Sequence, residues 1–296
     1  DTAYRTTGSE RRTPGTAPRA PRRPHRPHAH HARCPVHPKR IDHVAFGWDA
    51  LAPVCDALDR VGLPFDHGGT HADGTTQMAL TGLPDGSYLE YIAPTAGTDP
   101  GAAGFWPEAL AARAGPAAWC LRSDDVVAAA KRAIDCGLAI EGPLHGGRDR
   151  PDGRRVEWDQ FFQGGDDRWF YPFVIGDRTL REWRVTETDG VTALIGVDTV
   201  VVGVRDVETA AARLDRRYRT PAATPVETDA VDGVDDAVVL PGSPVALVRG
   251  DDARLDRVGE RPVAVLVGAD DLAAARTASE LTPPVAWGDR SLAWFD

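Results

Sequence analysis

The chain repeats one pattern, a short apolar strand followed by an amphipathic helix, and this repetition constrains the fold more than any other feature. In the first copy, Val44, Phe46 and Trp48 occupy alternate positions, so one face of the predicted strand is apolar. Asp49 stands where a helix N-cap is expected, and Gly62 stands where the helix should end. Residues 42–63 are therefore predicted to form a strand, a tight junction and a helix.

Three further copies follow along the chain. The second has a predicted strand at 117–121, with Asp124 as the expected cap and Gly137 as the end of the helix. Its cap and glycine are as far apart as Asp49 and Gly62. The third and fourth copies begin near Asp198 and Arg261. Recurrence at this level predicts a repeated architecture rather than four chance matches. The second helix is expected to bury Val126, Val127, Ala130 and Ile134.

More strands follow the first two helices. They are predicted at 77–80 and 87–92, and then around 156–162 and 169–175. Residues 63–76 and the Gly- and Arg-rich stretch 142–155 are expected to be loops, with a connector over 96–115 and a linker over 177–194. The fold class is therefore α+β, with four βαβββ-like modules paired two by two, and the short fourth module is expected to lack a strand.

The charge of the chain is unevenly distributed. Residues 1–40 contain ten Lys or Arg and two acidic residues, whereas the remainder contains 24 basic and 42 acidic residues. Asp outnumbers Glu by 33 to 11, and Lys39 and Lys131 are the two lysines. A surface dense in Asp and poor in Lys is typical of a halophile, here a haloarchaeal one. An ordinary acidic protein from a GC-rich genome is the alternative. The excess of acidic residues after residue 40 argues against nucleic-acid binding by this part of the chain.

The first 40 residues have almost nothing to bury and are predicted to be a disordered basic tail. This tail contains candidate metal ligands but no fold to hold them, and it could be a translated upstream region that is not native. No apolar run is long enough to span a bilayer and no signal peptide is recognisable. The four cysteines have no CxxC spacing and are interpreted as small buried residues in a reducing compartment. A cytoplasmic protein without a membrane partner is therefore expected. The candidate ligands of the tail are His25, His28, His30, His31, Cys34 and His37.

Several segments resemble the glyoxalase-like domain of the vicinal-oxygen-chelate superfamily. They are DHV at 42–44, HADGT at 71–75 followed by Gln77 where the family has Asn, SYLEYIAP at 87–94, RPDGRRVEW at 150–158 and YPFVI at 171–175. The resemblance covers about residues 41–176. It implies paired modules that curve into half-barrel sheets. The expected domains are therefore 41–186, containing modules 41–95 and 116–176, and a second, degenerate pair at 195–296.

The resemblance also implies a site. Catalytic members of the superfamily hold one divalent metal ion, with ligands on the first and last strands of each module. His43 and Glu90 match two of these positions, but Ala118 and the strand containing Phe173 offer no ligand in the second module. A third ligand could come from His71 or His145. A metal-free His43–Glu90 pair that performs acid–base chemistry is an equally open alternative.

The resemblance therefore predicts a cleft for a small molecule. His43 and Glu90 are the candidate catalytic and metal-binding residues. An enzyme with this site would be a lyase or isomerase acting next to a carbonyl group, with dioxygenase chemistry less favoured. A non-catalytic binding or sequestering protein without metal is the alternative, and homodimerisation through the second module pair is a further expectation. The candidate substrate-binding residues are His71, Gln77, Arg148, Arg150 and Trp158.

Overall fold

The computed structural model describes residues 40–104, 106–112, 115–226 and 237–278, together with the backbone of 282–287 and 290–295. The predicted basic tail lies outside the described residues except for Arg40. Its candidate histidine and cysteine ligands also lie outside them.

Eight strands of the first half form one sheet, and two helices pack on its outer face. The elements of this half are β1 (Ile41–Gly47), α1 (Leu51–Val61), β2 (Asp66–His71), β3 (Thr76–Gly82), β4 (Tyr88–Pro94), α2 (Pro107–Ala111), β5 (Gly115–Arg122), α3 (Val126–Asp135), β6 (Ile140–Asp149), β7 (Arg155–Gln163), β8 (Phe173–Asp177) and α4 (Arg181–Arg184).

The sheet closes into a barrel with the strand order β1-β4-β3-β2-β6-β7-β8-β5. β1 pairs in parallel with β4 and antiparallel with β5, and so joins the two predicted modules at one seam. A second seam pairs β2 with β6, where Thr70 is opposite Asp149 and His71 is opposite Arg148. The curved α+β sheet predicted from the sequence is confirmed, although the second seam closes it beyond a half-barrel.

The second half forms a seven-stranded sheet with the order β10-β11-β12-β9-β13-β15-β14. Here β9 pairs in parallel with β12 and antiparallel with β13, as β1 does with β4 and β5. β11 pairs antiparallel with β12, and β14 pairs antiparallel with β15. The elements are β9 (Leu194–Val204), α5 (Val207–Tyr218), β10 (Thr224–Pro225), β11 (Ala237–Val239), β12 (Val245–Arg249), α6 (Asp252–Val258), β13 (Arg261–Ala269), α7 (Leu272–Ala278), β14 (Thr282–Trp287) and β15 (Arg290–Phe295).

Alternation along β1 separates two cores. Val44 and Phe46 face outward into a cluster that also contains Val200 and Val265 of the second sheet. Ala45 faces the barrel interior. Each fully buried side chain of this size contributes roughly 1.5–3 kcal/mol to folding, so the outer cluster binds the barrel to the second sheet. The predicted domain boundary between 186 and 195 stays a prediction.

Two helix predictions need correction. Helix α1 begins after Ala50, not Asp49, although it does end at Gly62, whose φ of 70° is the left-handed value that glycine tolerates best. Helix α3 is capped by Asp125, whose carboxylate accepts from the Ala128 amide. Helix α3 packs mainly through small side chains, and two residues that were predicted to be buried are exposed instead. The exposed pair is Val127 and Ile134, and the buried set is Val126, Ala129, Ala130 and Ala133.

The two segments predicted as loops are largely extended. Residues Asp66–His71 form β2, and most of the Gly- and Arg-rich stretch belongs to β6. Among the cysteines, Cys120 is buried in β5 and Cys55 is half-buried, and both are free. Cys136 is disulfide-bonded, which differs from its interpretation as a small buried residue in a reducing compartment. No described helix has the length and apolar character required to cross a membrane.

The linker after the barrel is held by a close approach at Gly82. The Gly82 amide donates to Thr188 Oγ1 at 2.9 Å, and a Cβ on Gly82 would collide with the Thr186 carbonyl oxygen. We expect Gly82→Ala to lower the free energy of unfolding by about 1–3 kcal/mol, the usual cost of overpacking, as measured by urea denaturation. The control is Gly101→Ala, whose Cβ would make an ordinary contact of 3.6 Å with Asp99. Equal stability of the two variants would show that the linker is not held here.

Candidate functional site

The barrel interior contains a small cavity lined by both modules and by the linker. Its volume is about 20 Å³, which is enough for one water molecule, because such a molecule needs roughly 10–15 Å³. Strand alternation places most of its lining residues on β1, β4, β7 and β8, while β2, β6, α4 and the connector before α2 add one side chain each. The lining residues are His43, His71, Tyr88, Glu90, Trp106, Arg148, Trp158, Gln160, Phe162, Phe173, Ile175 and Arg184.

A buried carboxylate orients His43. Strict alternation would place Asp42 and His43 on opposite faces of β1, but the register with β5 shifts between Ile41 and His43. Asp42 Oδ1 consequently lies 2.7 Å from His43 Nδ1. The His43 ring stacks on Tyr88 with centroids 4.5 Å apart, which further restricts its rotation.

Asp42 is fully buried, and burial alone would raise its pKa. The positive charge of Arg184, the hydrogen bond from His43 and the charge of Arg181 outweigh this effect and hold the Asp42 pKa well below its ordinary value. The Arg122, Arg181 and Arg184 guanidinium groups lie 3.1, 2.6 and 2.7 Å from Asp42 Oδ2. Asp42 is therefore ionised, and its Oδ1 accepts a hydrogen bond from the Nδ1–H of His43.

The other ring nitrogen of His43 faces Glu90. His43 Nε2 lies 3.3 Å from Glu90 Oε2. An unprotonated Nε2 and an ionised carboxylate are both acceptors, so this contact requires a proton or a cation between them. Because Asp42 already accepts from Nδ1, the His43–Glu90 pair can hold either a mobile proton or a metal ion.

His71 lies on the other side of Glu90, at the end of β2. Its Nε2 is 3.9 Å from Glu90 Oε1, and its Nδ1 is 2.8 Å from Thr76 Oγ1. Burial lowers the pKa of His71, and the charge of Arg148 adds to this effect against the opposing effect of Glu90. His71 is therefore neutral near pH 7 and can serve as a ligand or a proton acceptor.

Two buried arginines differ in their partners. Arg184 contacts Asp42, Asp177 Oδ1 at 2.5 Å and the Tyr88 hydroxyl at 3.0 Å. Arg148 donates to the carbonyl oxygens of Gly68 and Arg184, and it forms no ion pair with a carboxylate among the described residues. Burial lowers the pKa of Arg148, but an arginine in a protein remains charged. Arg148 is thus a buried positive charge that an anionic ligand could compensate.

The structure brings five of the predicted site residues together. His43, His71, Glu90, Arg148 and Trp158 all line the cavity, and Trp158 donates from Nε1 to Gln160 Oε1 at 2.9 Å.

The remaining predicted residues lie elsewhere. Arg150 lies in a cleft of about 360 Å³ outside the cavity, where its guanidinium contacts Asp152 and the Trp183 carbonyl oxygen. Gln77 donates to the Pro94 carbonyl oxygen and lines none of the described cavities. His145 is half-exposed beside Glu157 and Asp159, so it does not supply the third ligand.

Several residues of the site were not predicted. Strand alternation places Tyr88 on the same face of β4 as Glu90, and the register shift in β1 brings Asp42 to His43. Trp106 and Arg184 come from a connector and a linker, where no periodic pattern predicts direction. The contact of Arg184 with Asp42 spans 142 positions and depends on tertiary structure alone.

The fold family implies a divalent metal ion, and the described residues offer two candidate sets. Ligand atoms of Asp42, His43 and Cys120 lie within 4.8 Å of one another. Three guanidinium groups already neutralise Asp42, and burial raises the pKa of Cys120 well above its ordinary value, so the thiol is not a thiolate. This set does not fit a cation.

The second set is His43, His71 and Glu90. His43 Nε2 and His71 Nε2 contact different oxygens of Glu90, at 3.3 and 3.9 Å, but one ligand atom from each of the three described residues does not lie within 4.8 Å of the other two. Asp42 behind His43 matches the carboxylate that usually supports a metal-binding histidine. Two neutral imidazoles and a carboxylate are suitable donors for Zn²⁺, Fe²⁺ or Mn²⁺.

Removal of the Asp42 charge should destabilise the fold. We expect Asp42→Asn to lower the free energy of unfolding by about 3–5 kcal/mol, because it leaves buried cations without their shared partner. Chemical denaturation monitored by tryptophan fluorescence measures this change. The matched control is Asp135→Asn on the exposed Lys131–Asp135 pair, which should change stability little. Similar losses in both variants would show that Asp42 does not hold the linker and β1 together.

Solved structures with similar folds are distant in sequence. A hypothetical protein from Staphylococcus aureus has a TM-score of 0.56 at 16% identity, over 87% of this chain and 98% of that one. A xylose isomerase-like TIM barrel/4-hydroxyphenylpyruvate dioxygenase fusion protein has a TM-score of 0.50 at 15% identity, over 84% of this chain and 40% of that one. At these identities the likeness concerns the fold alone.

Sequence comparison identifies the family of the chain. No curated protein sequence matches the chain. The predicted membership of the vicinal-oxygen-chelate superfamily is confirmed, whereas the haloarchaeal origin stays a prediction. A sequence model described as a glyoxalase-like domain matches residues 41–218, which include the whole barrel and the linker. Because this match spans more than half of the chain, the chain belongs to the glyoxalase-like domain family.

Proposed function

We propose that the barrel interior is the active site of a lyase or isomerase that moves a proton on a carbon next to a carbonyl group. The observation that carries this proposal is the 3.3 Å contact of His43 Nε2 with Glu90 Oε2 while Asp42 accepts from Nδ1. Proton abstraction next to a carbonyl needs a base beside a positive charge that stabilises the enolate. The His43–Glu90 pair and Arg148 provide these groups in one buried cavity.

Four residues of the site have a role in this reaction. Glu90 takes the proton from the substrate carbon, and negative charge develops on the carbonyl oxygen. His43, held by Asp42, bears positive charge when protonated and faces the developing oxyanion. Arg148 compensates the charge of an anionic substrate. Return of the proton from Glu90 to a different carbon, or to the other face of the same carbon, completes an isomerisation.

A divalent ion is the alternative occupant of the contact between His43 and Glu90. It would be held by His43 Nε2, His71 Nε2 and a Glu90 oxygen, and it would supply Lewis-acid stabilisation of the enolate. His43 would then be a ligand, and Asp42 would keep its Nδ1–H oriented away from the ion.

A non-catalytic binding protein is the second candidate function. The absence of a metal-binding side chain at Phe173 and Ile175, which line the cavity from β8, favours it.

Loss of the base should abolish turnover. We expect Glu90→Gln to reduce the rate of α-proton exchange by 10²–10⁴-fold, the usual contribution of a general base. Exchange into D₂O, followed by NMR with a panel of 2-oxo acids and hemithioacetals, measures this rate. The matched control is Glu157→Gln, because Glu157 lies on β7 but does not line the cavity.

Exchange that survives in Glu90→Gln would place the reaction elsewhere. Wild-type protein that is thermally stabilised by members of the panel but exchanges none of them would support the binding function instead.

The metal content of the purified protein tests whether the site binds a metal ion. We expect the full chain, purified without a His-tag, to contain about one equivalent of a divalent metal that is lost in His43→Ala and in His71→Ala. His145→Ala is the control, since the structure places His145 outside the cavity. Elemental analysis of all four proteins cancels any contribution from the histidine-rich tail. Identical content in all four would exclude the metal-bound form and leave the proton-bound pair.

A further inference from the structure

The barrel cavity is too small for a whole metabolite, and a larger cleft adjoins it. This cleft has a volume of about 520 Å³, which is within the usual range for small-molecule sites. It shares Trp106, Gln160 and Phe162 with the cavity. A ligand whose reacting atoms occupy the cavity would therefore extend into this cleft.

Two indole rings and other apolar groups form the walls of the cleft. Trp106 and Trp169 meet edge to face with centroids 6.2 Å apart, and Phe162 meets Trp169 at the same distance. Trp169 is fixed by a 2.7 Å hydrogen bond from its Nε1 to Glu108 Oε1. Leu144 lines the cleft with 41% of its surface exposed, although leucine is usually buried. These walls favour a flat apolar group.

The charges around the cleft are mostly negative. Asp73, Glu108 and Glu141 line it, together with Arg168 and His145. Arg168 is 3.2 Å from Glu141 and lies over the Trp169 ring at 5.1 Å, so its charge is already paired. A phosphate in this cleft would face Asp73 and Glu108, which form no ion pair among the described residues, although the charge of Arg261 beside Trp169 acts on Glu108. The positive charge without a carboxylate partner, Arg148, lies deeper, in the barrel cavity.

We propose that this aromatic cleft (Asp73, Trp106, Glu108, Leu144, Phe162 and Trp169) binds the uncharged aromatic part of a small carboxylic acid, and that it rejects phosphorylated carriers. The carboxylate end enters the barrel, where Arg148 compensates its charge. The proposal rests on the proposed function for the reacting end. The selectivity of the cleft does not depend on turnover.

Isothermal titration calorimetry of three ligands with the full chain tests whether the cleft binds an aromatic group and rejects a phosphate. The ligands are 3-phenylpropanoate, propanoate and 3-phenylpropanoate with a phosphate at the para position. We expect 3-phenylpropanoate to bind at least about tenfold more tightly than propanoate, because it adds apolar contact in the cleft. The para phosphate should remove this gain. Equal affinity of the first two ligands, or no measurable binding of either, would overturn the proposal.

Variants test which residues cause the preference for the phenyl group and the rejection of phosphate. Trp169→Ala should lose most of the preference for the phenyl group, whereas Trp183→Ala, a control outside the cleft, should retain it. The double variant Glu108→Gln/Glu141→Gln should bind the phosphorylated ligand at least about tenfold better than wild type, and this gain does not depend on the folding of Trp169→Ala. No gain in the double variant would overturn the charge component of the proposal.

Failure of the proposed function is distinguishable from failure of this inference. The wild type should prefer 3-phenylpropanoate to propanoate even if no substrate is ever turned over. Loss of the preference in the wild type contradicts the cleft, while absence of proton exchange contradicts only the catalytic role of Glu90.

Discussion

The buried carboxylate of Asp42 is the interaction on which the site depends. It accepts from His43 Nδ1 and from three guanidinium groups at once. Two of these arginines come from α4 in the linker, and the third comes from β5. One ionised side chain therefore connects the first strand, the strand across the seam and the segment that leaves the barrel. An isolated buried charge would be strongly destabilising, and these partners together compensate it.

The same interaction determines the chemistry that the cavity can support. Because Asp42 fixes the proton of His43 on Nδ1, Nε2 must meet Glu90 through a proton or a metal ion. Barrel closure through β2 and β6 then brings His71 to the other oxygen of Glu90 and Arg148 to the cavity wall. Closure also makes the cavity small, and it leaves the neighbouring cleft to hold most of any ligand. Family membership alone does not select among these chemistries, because one fold supports many reactions.

The second sheet repeats the pairing of the barrel without its chemistry. β9 pairs with β12 and β13 as β1 pairs with β4 and β5, but Thr199 replaces the histidine and Leu247 lies near the position of the glutamate. Its strands contribute Val200, Val202 and Val265 to the core beneath the barrel. Within the described residues, the second sheet thus supports the barrel from outside.

Local patterns in the sequence determined much of this protein. Alternation in β1 and β4 correctly separated His43 and Glu90 from their outward-facing neighbours, and Gly62 correctly ended α1, because strand and helix periodicity are properties of a few adjacent residues. Tertiary structure decided the rest. β2 is rich in glycine and is extended because it pairs with β3 and β6, not because of its own propensity. Arg184 and Trp106 reach the cavity from irregular segments, and their direction is set by partners such as Asp42 and Phe173 that are distant in the chain. Such contacts leave no periodic signal, so the sequence by itself determined the candidate pair, and only the folded chain decided what surrounds it.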